Sequence, residues 1–148
     1  MPKLNFSKWY SWENRSQFPL KNSPGVYILT INSENLEGKT TKISQIKYVG
    51  KTVSLGGLIG RWRQFDRAVK LGGENHSAGG NIGKVMGSFD KWGKNLFVAA
   101  CAIDSDMKKT SHKNLIIKAQ VSFLEYEAIA KVFKKTGEVP EFNFSEPG

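Results

Sequence analysis

The sequence predicts a small α+β domain, an α/β sandwich with a three-stranded sheet, mixed or antiparallel, flanked by helices. Three observations carry this. Two β-like runs, PGVYILTI and IKYVGKT, flank NSENLEGKTT, a polar segment with a glycine that suits a hairpin loop. A third run, LFVAACAI, is apolar throughout, as a strand buried on both faces is. Helical patterns fill most of the remaining chain, giving the order ββ, α, α, β, α, a sheet covered by helices. At 148 residues the chain suits one domain.

Pro24-Gly25 turns the chain into the first strand, about 26–31, and the second spans about 42–51. A helix is expected over 58–71, then a glycine-rich loop carrying His76, then a short helix near 80–88. The third strand covers 96–103, and a long helix follows over 114–136 with Gly137 as its C-cap. Residues 1–23 form an arm before a core of 24–143. The arm holds Phe6, Trp9, Tyr10, Trp12 and Phe18 among basic residues; these rings could pack on the domain or stack on bases.

The formal charge is +9, from 22 basic and 13 acidic residues, alongside four Trp, four Tyr and nine Phe. That balance favours a polyanionic partner, nucleic acid first, over the bland reading of scattered lysines as a soluble basic surface. Cys101 is the only cysteine, so neither an intrachain disulfide nor a cysteine metal site is available. It lies in the apolar third strand and reads as buried and inert. No signal peptide and no membrane-length apolar run is visible, which makes a cytoplasmic location and no membrane partner the expectation.

Helical periodicity sorts the first helix into faces. Leu58, Trp62, Phe65 and Val69 share the core face, while Arg63, Arg67 and Lys70 point to solvent, where they could touch phosphates. Arg61 lies at the stripe's edge, roughly 75° from its centre. It could snorkel, form a structural ion pair, or reach along the sheet edge. On the long helix, Leu115, Ala119, Ser122, Tyr126, Ile129 and Phe133 are expected as the main packing face, with Ile117, Val121, Leu124 and Val132 as a second apolar arc. Glu125 falls between the arcs. A carboxylate beside apolar surface must find a cation or protonate, so Lys118 or a bound metal is required. Glu127 pairs with Lys131 on the polar side.

Phosphodiester cleavage needs an activated water, in-line placement, neutralised phosphoryl charge and a stabilised leaving group. Mg²⁺ suits the charge problem and often needs only one or two protein carboxylates. Glu125 could hold it, Arg61 could clamp a non-bridging oxygen, and a tyrosine with a lowered pKa could accept the proton. Lys51 and the metal would both lower it. His76 is a surface loop residue or a second proton acceptor. Asn143 is a turn residue or braces the site through hydrogen bonds.

Taken together, these residues resemble the GIY-YIG endonuclease superfamily. Gly25-Val26-Tyr27 matches the first signature and Tyr48-Val49-Gly50 the second, each with valine for the central isoleucine. Arg61-Trp62 in LIGRWRQF matches the arginine helix, Glu125 in FLEYEAI the metal-binding glutamate and Asn143 in VPEFN the terminal asparagine, in order over about residues 24–143. The resemblance implies an endonuclease dependent on Mg²⁺ or Mn²⁺ and acting on DNA. Tyr27 would be the general base with Tyr48 beside it, Arg61 would stabilise phosphate, and Glu125 would hold the metal. Two departures stand out: Phe65 occupies the place of a histidine found one turn after the arginine in many members, and the hairpin loop is long. His76 could serve from its loop instead. The alternative is a nucleic-acid-binding module of the same fold that does not cut.

Overall fold

The computed structural model describes residues 2–71, 77–108 and 110–143. One antiparallel sheet of four strands organises them: β1 (Tyr10–Ser11), β2 (Gly25–Ile31), β3 (Tyr48–Thr52) and β4 (Leu96–Ala102), in the order β1-β4-β2-β3. The helices are α1 (Gly57–Leu71), α2 (Ser77–Met86), the single turn α3 (Phe89–Trp92) and α4 (His112–Thr136).

The fourth strand corrects the expectation of three. The arm does not stand off the domain. The Ser7 backbone N–H donates to Ala100 O at 2.9 Å, and Tyr10 and Ser11 pair with Val98 and Phe97. The arm thereby covers the β4 edge, which would otherwise expose unpaired backbone groups. Its rings go inward. Trp9, Trp12 and Phe18 are buried, which settles the choice between packing and base stacking for these three. Asp66 of α1 clamps the arm: it accepts from Trp12 Nε1 at 2.9 Å and pairs with Arg15 at 3.7 Å.

β3 is shorter than expected. Residues 43–45 form a 3₁₀ turn instead of strand, because Gln45 Oε1 accepts from Trp9 Nε1 at 2.9 Å and from the Lys42 N–H at 3.0 Å. The hairpin connection is itself packed, with Leu36 and Ile46 buried beneath α4.

Alternation along β2 and β3 divides the core in two. Tyr27, Leu29 and Tyr48 face α1, packing with Leu58, Trp62 and Phe65. Val26, Ile28 and Val49 face α4, packing with Ile117, Val121, Leu124, Ala128 and Val132. This reverses the expected order of the α4 faces. The arc read as secondary is the buried one, and Leu115 and Phe133 of the expected main face are 54% exposed. Both stripes are apolar, so periodicity alone cannot rank them. α4 ends at Gly137, whose positive φ of 82° lets its N–H return to Phe133 O at 2.7 Å.

The glycines of both tripeptides answer to packing. A Cβ on Gly25 would lie 2.5 Å from Cys101 O of the neighbouring β4. Gly50 is directly opposite Tyr27, and a Cβ there would lie 2.5 Å from Tyr27 Cζ. Gly50→Ala is therefore expected to lower folding stability by about 1–3 kcal/mol, as overpacking does. Chemical denaturation of the two proteins checks this.

Candidate functional site at the β3 edge

β3 is the outer strand beyond β2, and two helices approach it from opposite faces of the sheet. α1 brings Arg61. Its first turn is seated on the loop before β2, with the Leu58 N–H donating to Ser23 O at 3.0 Å and the Ile59 N–H to Lys21 O at 2.7 Å. This fixes the start of α1, and with it Arg61, against the loop that leads into β2. Trp62, the next residue, lies edge-on to the Tyr27 ring at 6.2 Å between centroids. Tyr48 is tilted against Tyr27 at 6.1 Å.

Tyr27 is fully buried and Tyr48 partly so. Both phenols are held above the ordinary tyrosine range, first by burial; for Tyr27 the neighbouring Tyr48 phenol adds to this. Arg61 pulls both downward and Glu125 pushes both upward. The acid and the guanidinium therefore both act on the same pair of rings. The expectation of a lowered phenol pKa is corrected here: without bound ions, desolvation exceeds the pull of Arg61. Lys51 contributes nothing evident to the phenols, because strand alternation turns it toward α4.

There Lys51 meets Glu125. Its Nζ lies 3.3 Å from Glu125 Oε1 and donates to Ser122 Oγ at 3.4 Å. Lys51, not Lys118, is the cation that the Glu125 carboxylate finds. Sequence reading missed this pair because it joins a strand to a helix 74 positions later, where no local periodicity reports it. Glu125 is 8% exposed.

Asn143 braces the strand. Its Oδ1 accepts from the Val49 N–H at 2.9 Å and its Nδ2 donates to Val49 O at 3.0 Å. One side-chain amide thus replaces a missing neighbour strand at the position between Tyr48 and Gly50. Asn143 fills both roles open to it: its N–H closes a turn onto Pro140 O at 2.9 Å, and its side chain braces β3.

Polar atoms at this edge are buried with few partners among the described residues: Tyr27 Oη and Arg61 Nε make no regular hydrogen bond, and Glu125 Oε1 has only the Lys51 ammonium at 3.3 Å. Trp62 Nε1 beside them is another. Each such group costs on the order of 1–3 kcal/mol, and clustering of them calls for a ligand or a catalytic role. Arg61 Nη1 is tied to Gln64 Oε1 at 3.1 Å.

No group of three or more His, Cys, Asp or Glu side chains able to hold a metal occurs among the described residues. The described residues thus form no closed protein cage, whereas a hydrated Mg²⁺ on one carboxylate keeps most of its waters and needs none. Glu125, whose Oε1 is held by Lys51 alone, fits that second kind of site, provided Lys51 moves aside or shares it. None of the principal clefts is lined by Tyr27, Tyr48, Arg61 or Glu125.

The remaining expected residues separate. Arg63 and Arg67 are exposed on α1. Arg63 lines a cleft of about 400 Å³ with Arg15 and Lys21. Lys70 is exposed but engaged, 3.1 Å from Asp66 and above the Phe89 ring. His76 lies outside the described residues. Cys101 is buried and its thiol pushed up by burial, as expected of an inert cysteine. No helix among the described residues is long and apolar enough to cross a membrane. Compared with protein-family models, curated proteins and solved structures, the chain matches none.

Two outcomes are expected. Asn143→Ala removes both bonds to Val49 and should cost about 1–2 kcal/mol, with faster amide exchange at Val49. Because folding raises the Tyr27 pKa, its stabilising contribution is full below the unfolded value of 10.0 and is lost as pH rises above it. Stability measured against alkaline pH should fall less steeply in Tyr27→Phe.

Proposed function

We propose that the chain is a divalent-metal-dependent endonuclease that hydrolyses phosphodiesters in DNA, of the GIY-YIG type. The observation that supports it is the gathering at one sheet edge of a phenol and a guanidinium nitrogen that make no regular hydrogen bond and a buried carboxylate held by Lys51. A phosphodiester with its metal offers partners of the right sign to the two charged groups. The net charge of +9 and the exposed Arg63 and Arg67 favour the same substrate class.

In this reading Arg61 neutralises a non-bridging phosphoryl oxygen, anchored at one end by Gln64. Glu125 would hold Mg²⁺ or Mn²⁺, which supplies Lewis-acid stabilisation of the phosphoryl charge when bound. Tyr27, first choice as proton acceptor by family resemblance, is fully buried and strongly disfavoured as phenolate. Tyr48 is the phenol with access to solvent, so it is better placed to contact water while Tyr27 orients it. Lys51, 3.3 Å from Glu125, supplies the positive charge that a metal would supply at the same oxygen.

A second reading, a nucleic-acid-binding module that does not cut, is favoured by one observation. Glu125 already has an internal cation in Lys51, so the acid has a role without metal.

Plasmid DNA separates the two. Nicking is expected with Mg²⁺ and is abolished by EDTA or Glu125→Ala, while Arg61→Ala should lower the rate about 100-fold or more. Salt-sensitive DNA binding that Glu125→Ala leaves unchanged, with no cleavage in any divalent metal, would instead establish the binding module.

A further inference from the structure

α4 packs on the sheet by one face and carries a second apolar stripe, in which Leu115, Ala119, Tyr126 and Phe133 are exposed while Ser122, which holds Lys51, and Ile129, which lies against the core, are half-buried. Leu115, Ala119, Ser122, Tyr126, Ile129 and Phe133 follow one another at intervals of 4, 3, 4, 3 and 4 residues. This is the 3.5-residue repeat by which one helix seats on another. It is sustained for roughly 27 Å at 1.5 Å per residue, and no charged side chain falls on it. Leu115 and Phe133 are each 54% exposed, and Phe123 and Ile116 widen the stripe on one shoulder at 50% and 46%.

We propose that this face is a homodimer interface, in which α4 packs antiparallel against α4 of a second copy. The sequence of the stripe is complementary to itself under a two-fold axis beside residue 124. In a two-fold interface each contact occurs twice, with the residues exchanged. The axis places Leu115 against Phe133 of the second copy, Ala119 against Ile129 and Ser122 against Tyr126. Small meets large in the last two, so the helices can approach to about 8–10 Å. Parallel pairing would set Phe133 on Phe133 and Ala119 on Ala119, crowding one end and leaving a gap at the other.

Area and charge agree with this occupant. Large side chains at half exposure offer on the order of 100 Å² each. The five large exposed side chains then bring about 1,000 Å² in total to a pair of copies, before Ala119, Ser122 and Ile129 are added. That approaches the ~1,200 Å² at which specific interfaces begin. Lys118, beside the stripe, lies level with Ala130 of the second copy. The two Lys118 side chains are offset by about 18 Å along the helices, beyond a Debye length of ~8 Å.

Sedimentation velocity of the 148-residue chain over a concentration series, without nucleic acid or divalent metal, tests this apart from the cleavage reading. A dimer is expected, with Phe133→Glu and Leu115→Glu each shifting it to monomer at unchanged far-ultraviolet circular dichroism. In a Cys101→Ala background, chains carrying Ala119→Cys and Ile129→Cys should cross-link when co-expressed and oxidised, and neither should cross-link to itself. A monomer at every concentration overturns the proposal, including one that binds anionic vesicles through this face. So does a dimer that both glutamate variants leave intact, or Ala119→Cys chains cross-linking to each other.

Discussion

The Tyr27 ring lies across Gly50, and the geometry of the β3 edge depends on that contact. The two residues are directly opposed in the β2–β3 ladder. With no Cβ at Gly50, the phenol fills the space where a side chain would stand. A one-residue slip of β3 against β2 would move Lys51 to the α1 face and Tyr48 to the α4 face, since the side-chain period is two. The Tyr27–Tyr48 contact, the seat of the Tyr27 ring over Gly50 and the Lys51–Glu125 pair would all be lost together.

An edge strand is an unusual place to concentrate buried polar atoms, because it is where water enters most easily. Here the edge is closed from three sides. α1 covers one face, α4 the other, and the Asn143 amide occupies the outward hydrogen-bonding groups of Val49. The phenols are consequently drier than a hairpin on its own would make them, and their ionisation is suppressed. The same closure makes the Glu125 carboxylate depend on Lys51, its nearest cation.

Asp66 plays the corresponding part on the other side of α1. It ties the arm to the helix through Trp12, and Arg15 and Lys70 lie against it. The arm's aromatics are thereby spent on the core, which removes most of the surface that would have stacked on bases or carried a partner protein. What remains exposed and apolar is concentrated on α4.

The amino-acid sequence by itself determined the α+β class, the hairpin, the extents of α1 and α4 to within two residues, the buried stripe of Leu58, Trp62, Phe65 and Val69, and the edge position of Arg61. These are local properties, set by periodicities of two and 3.6 and by turn residues such as Pro24 and Gly137. The tertiary structure decided the rest. The fourth strand depends on β4 offering an edge to residues 7–11, and a two-residue strand has no pattern of its own. Which apolar face of α4 is buried depends on how the helix lies on the sheet, because burial follows the partner surface and the sequence contained two candidate stripes. The Lys51–Glu125 pair and the upward shift of both phenols arise from long-range proximity and desolvation, and neither exists until the chain has closed around them.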